Sequence, residues 1–276
     1  MDRSLFYVST TMLWGMPPEE WFRIAAEEEL GGVEVWAQQL ESQGISPEEV
    51  LKLSIQYGKT VTVHNYSWDL NLISLSRPMR DAAIALTKKG IDLASYLHAS
   101  QVTTHPGREG LAIPGADFDK LLAESFVVLS RYAEEEGTRI SFEIMEKIPK
   151  ERFTSAEEAL RVESLAEGPL RWGYTEDIAH CDSEEEIFSI ASRLKGRIVE
   201  FHLSNKKGTT RHVGDVEHGD FPLPAIAEKL ASYGIPFALE GFDPSMKAER
   251  LYRTLHWLDG DDVSQGIGAQ SAERRG

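Results

Sequence analysis

The chain holds a single cysteine, Cys181, among 276 residues, which excludes an intrachain disulfide and fits a reducing compartment such as the cytoplasm. No apolar run approaches the roughly eighteen residues of a membrane span. The opening MDRSLFYVSTTML lacks a signal-peptide layout, because Asp2 interrupts the basic leader and hydroxyls thread the apolar stretch. Basic charge is scarce: 29 Lys and Arg against 45 Asp and Glu leave a net charge of −16, which works against broad affinity for a phosphate backbone. No glycine-rich dinucleotide turn follows the first β-rich run, and no linker divides the chain.

What remains is an ordinary globular composition, 41% hydrophobic and 27% charged, laid out in one repeated pattern. β-rich runs at 4–11, 32–36, 60–64, 101–105, 139–144, 171–176, 198–203 and 236–241 alternate with helical segments at 17–29, 46–57, 77–97, 117–136, 155–167, 183–195, 223–233 and 245–258. Ser46, Ser155 and Ser183 each stand three residues before a glutamate, the signature of a capping box. Glycines at 31, 58, 137, 168, 196 and 234 follow helices where a left-handed cap is wanted. Eight strand–helix units predict an α/β fold, a single-domain (β/α)8 TIM barrel over residues 1–260. Residues 261–276 have little to bury and read as a frayed tail.

Side chains of a barrel strand alternate between the axis and the surrounding helices. In VTVHN the valines face outward, so Thr62 and His64 face the axis; SFEIM turns Glu143 inward, VEFHL His202 and FALEG Glu240. GYTED turns Asp177 inward, QVTTHPG His105 and VEVWA Glu34. Strands three to eight thus each end in an inward His, Glu or Asp, at the face where such barrels build active sites. Buried carboxylates cost several kcal/mol unless paired or bound to a cation. A ring of them interleaved with imidazoles therefore predicts bound divalent metal, and the mixed ligands favour Zn or Mn over Ca. Lys206, Lys207, Arg211 and Arg108 follow strands seven and four, near where this fold often holds phosphate; they suit either a phosphorylated or carboxylated substrate or the offsetting of neighbouring acids such as Glu109 and Glu217. Trp14, Trp36, Trp68 and Glu34 are candidates for the pocket mouth.

The segments VTVHN with Asn71-Leu72 downstream, TTHPG, SFEIM, YTEDIAH, EFHLSN, RHVGDVEHGDF and ALEGF span nearly the whole barrel. Together they resemble the xylose isomerase-like barrel superfamily, which includes sugar isomerases, epimerases and endonuclease IV-type nucleases. The resemblance implies one to three ions. Glu143, Asp177, His202 and Glu240 would form the central site, and His64 and His105 would be the added ligands of multi-metal members. His180 and His212 match two ligands of the nucleases' third metal, but Thr210 stands where that site has an aspartate; Asp215, Glu217 and Asp220 are possible substitutes. The expected activity is isomerisation or epimerisation of a small sugar, sugar phosphate or polyol ketone by proton transfer beside a carbonyl. Glu143 and Glu240 are the opposed acid–base pair, with His180 catalytic beside them as a hydrogen-bonding partner of substrate. Substrate-binding candidates are Glu34, Arg108, Lys206, Arg211 and His212. The alternative is an endonuclease IV-like hydrolase of abasic-site DNA, favoured by the surplus histidines and opposed by Thr210, by the acidic charge and by the loop AQQLESQG. A small polyhydroxy carbonyl compound is the expected partner, without a membrane, and a homo-oligomer is compatible with the sequence.

Overall fold

Alternating β-branched strands and amphipathic helices close on themselves in the computed structural model, which describes residues 1–110, 114–214, 216–261 and 263. The strands are β1 Phe6–Ser9, β2 Gly32–Trp36, β3 Thr60–His64, β4 Val102–Thr104, β5 Ile140–Ile144, β6 Gly173–Asp177, β7 Ile198–Leu203 and β8 Phe237–Leu239. They form a closed barrel in sequence order, every neighbouring pair parallel. The helices are α1 Pro18–Glu27, α2 Ala37–Gln43, α3 Pro47–Tyr57, α4 Arg77–Tyr96, α5 Phe118–Glu135, α6 Ala156–Leu165, α7 Glu184–Arg193, α8 Leu223–Leu230 and α9 Glu249–Leu258. The expected (β/α)8 architecture is the observed one.

Local chemistry explains the element edges. Ser155 and Ser183 accept from the backbone N–H of Glu158 and Glu186, three residues on, whereas Ser46 accepts from Glu48, only two on. Gly58 and Gly234 cap their helices with φ of 61° and 64°. Gly31 does not: Glu29 takes the left-handed position at φ 57°. Gly31 is small for another reason, since a Cβ there would stand 2.0 Å from the carbonyl oxygen of Ser4. The segment AQQLESQG, expected as a loop, is mostly α2, because Leu40 and Gln39 are buried and Gly44 closes it in the left-handed conformation. β1 is shorter than expected, since the chain turns into 3-10 helix on both sides, at Arg3–Leu5 and Thr10–Leu13. His105 and Glu240 each lie one residue beyond their strands. Apart from Asp261 and Val263, the expected tail lies outside the described residues.

The apolar core sits between barrel and helices. Phe126 of α5 stacks on Phe142 of β5, and Phe6, Phe237 and Phe201 of β1, β8 and β7 form a stack with centroids 5.3 and 5.2 Å apart. Each fully buried ring of this kind contributes about 1.5–3 kcal/mol relative to exposure. Inside the barrel the side chains are polar instead.

Candidate active site and metal-binding residues

Axis-facing hydroxyls make the floor. Thr103, Ser141 and Thr175 form a closed triangle with oxygens 3.1, 2.9 and 2.8 Å apart. Glu200 lies on the same level as Thr175, where its Oε2 accepts from Gln101 Nε2 at 2.5 Å and Thr103 Oγ1 at 3.0 Å. Strand register then sets the acids and imidazoles above: Trp36 pairs with His64, His64 with Thr103, Glu143 with Thr175 and Asp177 with His202.

Five histidines and four carboxylates converge there. Glu143 Oε2 is 3.0 Å from His105 Nε2 and 3.7 Å from His64 Nε2. His202 Nδ1 is 3.2 Å from Glu240 Oε1 and 3.8 Å from Glu143 Oε1. His180 Nε2 lies 3.4 Å from Asp177 Oδ2 and the same distance from Glu146 Oε2. A fifth imidazole, His212, approaches Asp177 Oδ2 to 3.9 Å through Nε2. Two tautomers are fixed by the main chain. His64 Nδ1 is 2.9 Å from the carbonyl of Asn65, and His180 Nδ1 is 3.0 Å from that of Ile144. A carbonyl only accepts, so both Nδ1 atoms donate, and in the neutral rings it is the Nε2 atoms that turn lone pairs toward the carboxylates. His64 is further held flat against Trp36, with centroids 4.0 Å apart and planes 10° from parallel.

The loop carrying His212 is tied by Asn205, a fully buried amide. Its Nδ2 donates to the carbonyls of Val216 and Phe221, its Oδ1 accepts from the N–H of Lys206 and Phe221, and its carbonyl accepts from Val213. Gly219 is required beside it, because a Cβ there would stand 2.1 Å from the amide carbon. Ser204 then meets His212 Nδ1 at 2.7 Å.

The donor set fits a divalent cation. Donor atoms of Glu143, Asp177 and His202 lie within 4.8 Å of one another, as do those of His64, His105 and Glu143, those of Asp177, His180 and His212, and those of Glu34, His202 and Glu240. Glu143 Oε2, Asp177 Oδ2 and both ring nitrogens of His202 are buried without an aligned hydrogen bond. Orphaned atoms of this density are costly in protein alone and are the donors a cation uses. Burial would raise the Glu143 carboxyl, but His105 and His202 outweigh it and hold it well below the usual range. Glu240 goes the other way: burial, with Glu34, Asp177 and Glu143 nearby, drives it well above, against the pull of His202. Burial opposes charge on His202 as well, yet Glu240, Glu34 and Glu143 raise it well above its ordinary value.

A family model described as the xylose isomerase-like TIM barrel matches residues 22–260. The chain belongs to this xylose isomerase-like family. Among solved structures, a D-tagatose 3-epimerase-like protein superposes with TM-score 0.72 at 18% identity, covering 92% of this chain and 98% of its own. The 3-keto-D-glucoside 4-epimerase of E. coli gives 0.72 at 16% identity, covering 93% and 99%. A Thermus thermophilus protein soaked with zinc chloride gives 0.67 at 19% identity, covering 94% and 98%. At such identities the likeness is one of fold. No curated protein sequence matches the chain.

Within this xylose isomerase-like barrel, several expected site residues are engaged by other groups of the chain. Glu34 is fully buried, with its Oε1 3.1 Å from His202 Nε2. Lys206 is buried and donates to the carbonyl of Cys181 at 2.5 Å, with Asp182 at 3.7 Å. Arg108 reaches Glu151 at 2.5 Å, and Lys207 reaches Asp220 at 3.5 Å. Arg211 buries its Nε without a hydrogen bond, and its charge bears on Asp182. Two of the substitutes considered for the aspartate missing at Thr210 are engaged elsewhere, Glu217 by Arg253 and Asp220 by Lys207 and the N–H of Gly208. Asp215 lies outside the described residues. Asp177 instead completes the group with His180 and His212. Glu200 and Glu146 escaped sequence reasoning. Glu200 shares the parity of His202 two residues on, so an acid in mid-strand was its signal; Glu146 lies past a strand end and had none.

Proposed function

We propose that the chain is a divalent-cation-dependent sugar isomerase or epimerase that moves a proton beside the carbonyl of a small polyhydroxy substrate. The observation that carries this reading is the placement of Glu143 and Glu240 about one buried imidazole, 3.8 and 3.2 Å from His202 Nδ1. Glu143, Asp177, His202 and Glu240 would hold the ion, with His64 and His105 able to hold another through Glu143. The mixed imidazole and carboxylate donors suit Zn or Mn. When bound, the ion supplies Lewis acidity toward a carbonyl and its neighbouring hydroxyl. Glu143 and Glu240 then take and return the carbon-bound proton from opposite sides of the substrate. His180, its Nδ1 tied to Ile144, and His212, steadied by Ser204, offer hydrogen bonds to hydroxyl groups. The engagement of Arg108, Lys206 and Lys207 with acids or a carbonyl favours a neutral sugar over a phosphorylated one. The epimerase names of the E. coli and tagatose-type structures agree with this class.

A second reading, hydrolysis of abasic-site DNA, is favoured by one observation: the His64–His105–Glu143 and Asp177–His180–His212 groups offer more donors than one ion needs. The net charge of −16 opposes it. One experiment separates the two. Protein loaded with Mn or Zn is offered a panel of ketoses and, in parallel, an abasic oligonucleotide. Epimerisation without cleavage supports the proposal, and cleavage without epimerisation sinks it.

A further inference from the structure

Glu34 sits in the middle of β2, level with Ser9 of β1 and Thr62 of β3, one layer beneath the Trp36–His64 pair. Its Oε1 lies 3.1 Å from Nε2 of His202, while the opposite ring nitrogen, Nδ1, faces Glu240 at 3.2 Å and Glu143 at 3.8 Å. One imidazole therefore has an acid behind it and the acid–base pair in front. Glu200 also lies behind the ring, but only at 3.8 Å, and its near oxygen already accepts from Gln101 and Thr103. Neither oxygen of Glu34 nor Nε2 of His202 makes an aligned hydrogen bond, so the pair meets at 3.1 Å with Ser9 as another group that bears on Glu34.

A neutral imidazole carries one ring proton, and the nitrogen without it is the one that binds metal. An acceptor at Nε2 selects the tautomer protonated there, leaves the Nδ1 lone pair open, fixes the ring plane and strengthens the donor. Main-chain carbonyls fix His64 and His180 in this way. Among the described residues His202 has no such carbonyl; it has Glu34. Fully buried beneath the ring, Glu34 cannot reach a substrate lying in the mouth.

We propose that Glu34 is a positioning residue that holds His202 with Nδ1 open toward Glu143 and Glu240, and thereby sets cation affinity without touching substrate. This rests on the divalent-cation reading above.

The test is calorimetric titration of chelator-stripped protein with Mn2+, for the unsubstituted chain, Glu34→Leu and Glu34→Gln, with circular dichroism to verify folding. Leucine should weaken binding about 10- to 100-fold, the usual effect of removing a partner behind a metal-bound histidine. Glutamine, which keeps an acceptor oxygen, should recover most of that loss. At saturating Mn2+, KM for a ketose that the unsubstituted protein turns over should stay within about twofold. A loss of affinity smaller than tenfold in Glu34→Leu overturns the proposal. So does a KM that rises tenfold at saturating metal with affinity unchanged, since Glu34 would then be a substrate contact. Should Glu34→Leu not fold, Glu34→Asp carries the test: its carboxylate is withdrawn by one methylene, and unaltered affinity overturns the proposal. If the unsubstituted protein binds no Mn2+, the cation reading itself fails, an outcome distinct from intact binding that Glu34 does not influence.

Discussion

Phe142 and Glu143 are neighbours on β5, yet they belong to opposite walls of the barrel. The helix-facing wall carries Phe142, Phe201 and Phe237, packed in ring stacks. The axis-facing wall carries Ser9, Glu34, Thr62, Thr103, Ser141, Thr175 and Glu200, all fully buried. Barrels of this kind usually fill their axis with branched aliphatics. Here the apolar burial that holds the fold lies outside the cylinder, and the inside is given to hydrogen bonds that support the acid and imidazole ring above. Stability and chemistry are thus divided by side-chain parity, one residue apart.

The sharpest way to break this contrast is Glu143→Gln. Turnover of any responsive ketose should fall by about 10²–10⁴, the usual contribution of a positioned acid–base group, with the melting temperature changed little; retained turnover removes Glu143 from the proposed mechanism. The companion change Phe142→Ala should do the reverse. It should cost about 3–5 kcal/mol in urea unfolding, while activity per folded molecule persists; a small stability loss would mean that the outer wall does not hold the fold. Third, stripping the protein with chelator should lower its unfolding free energy, and restoring Mn2+ at about a hundred times its dissociation constant should return about 2.7 kcal/mol. No stabilisation at that concentration would argue that the ring binds no ion. The smallest effect concerns Glu151 near the mouth. Burial, helped by Glu146, pushes its carboxyl up to about 7 from an ordinary 4.5, against the pull of Arg108. The folded protein therefore keeps a proton that the unfolded chain gives up, so this group's contribution is fully present below pH 4.5 and is lost as pH rises toward about 7. Urea midpoints measured across that window should show a decline that Glu151→Gln lacks; equal slopes would refute it.

Much of this was legible in the sequence, for a physical reason. Period-two alternation in VTVHN, SFEIM and VEFHL assigns a wall to each side chain, and strand order then brings His64, Glu143 and His202 together. The less legible parts depend on three-dimensional contacts. The engagement of Lys206 with the Cys181 carbonyl joins residues 25 positions apart, and no local pattern announces it. Helix α2 was hidden because its side-chain capping signal is absent. Glu34 was correctly turned inward, but its depth, one layer below the mouth, follows from the register of β2 against β3.

The flat contact between Trp36 and His64 gives the molecule an optical gauge of its own. An indole lying 4.0 Å above an imidazole senses any charge that the ring acquires, because its π face couples to cations at that range. Loading of His64 should therefore register in tryptophan emission, allowing occupancy to be followed in solution without a label or a substrate.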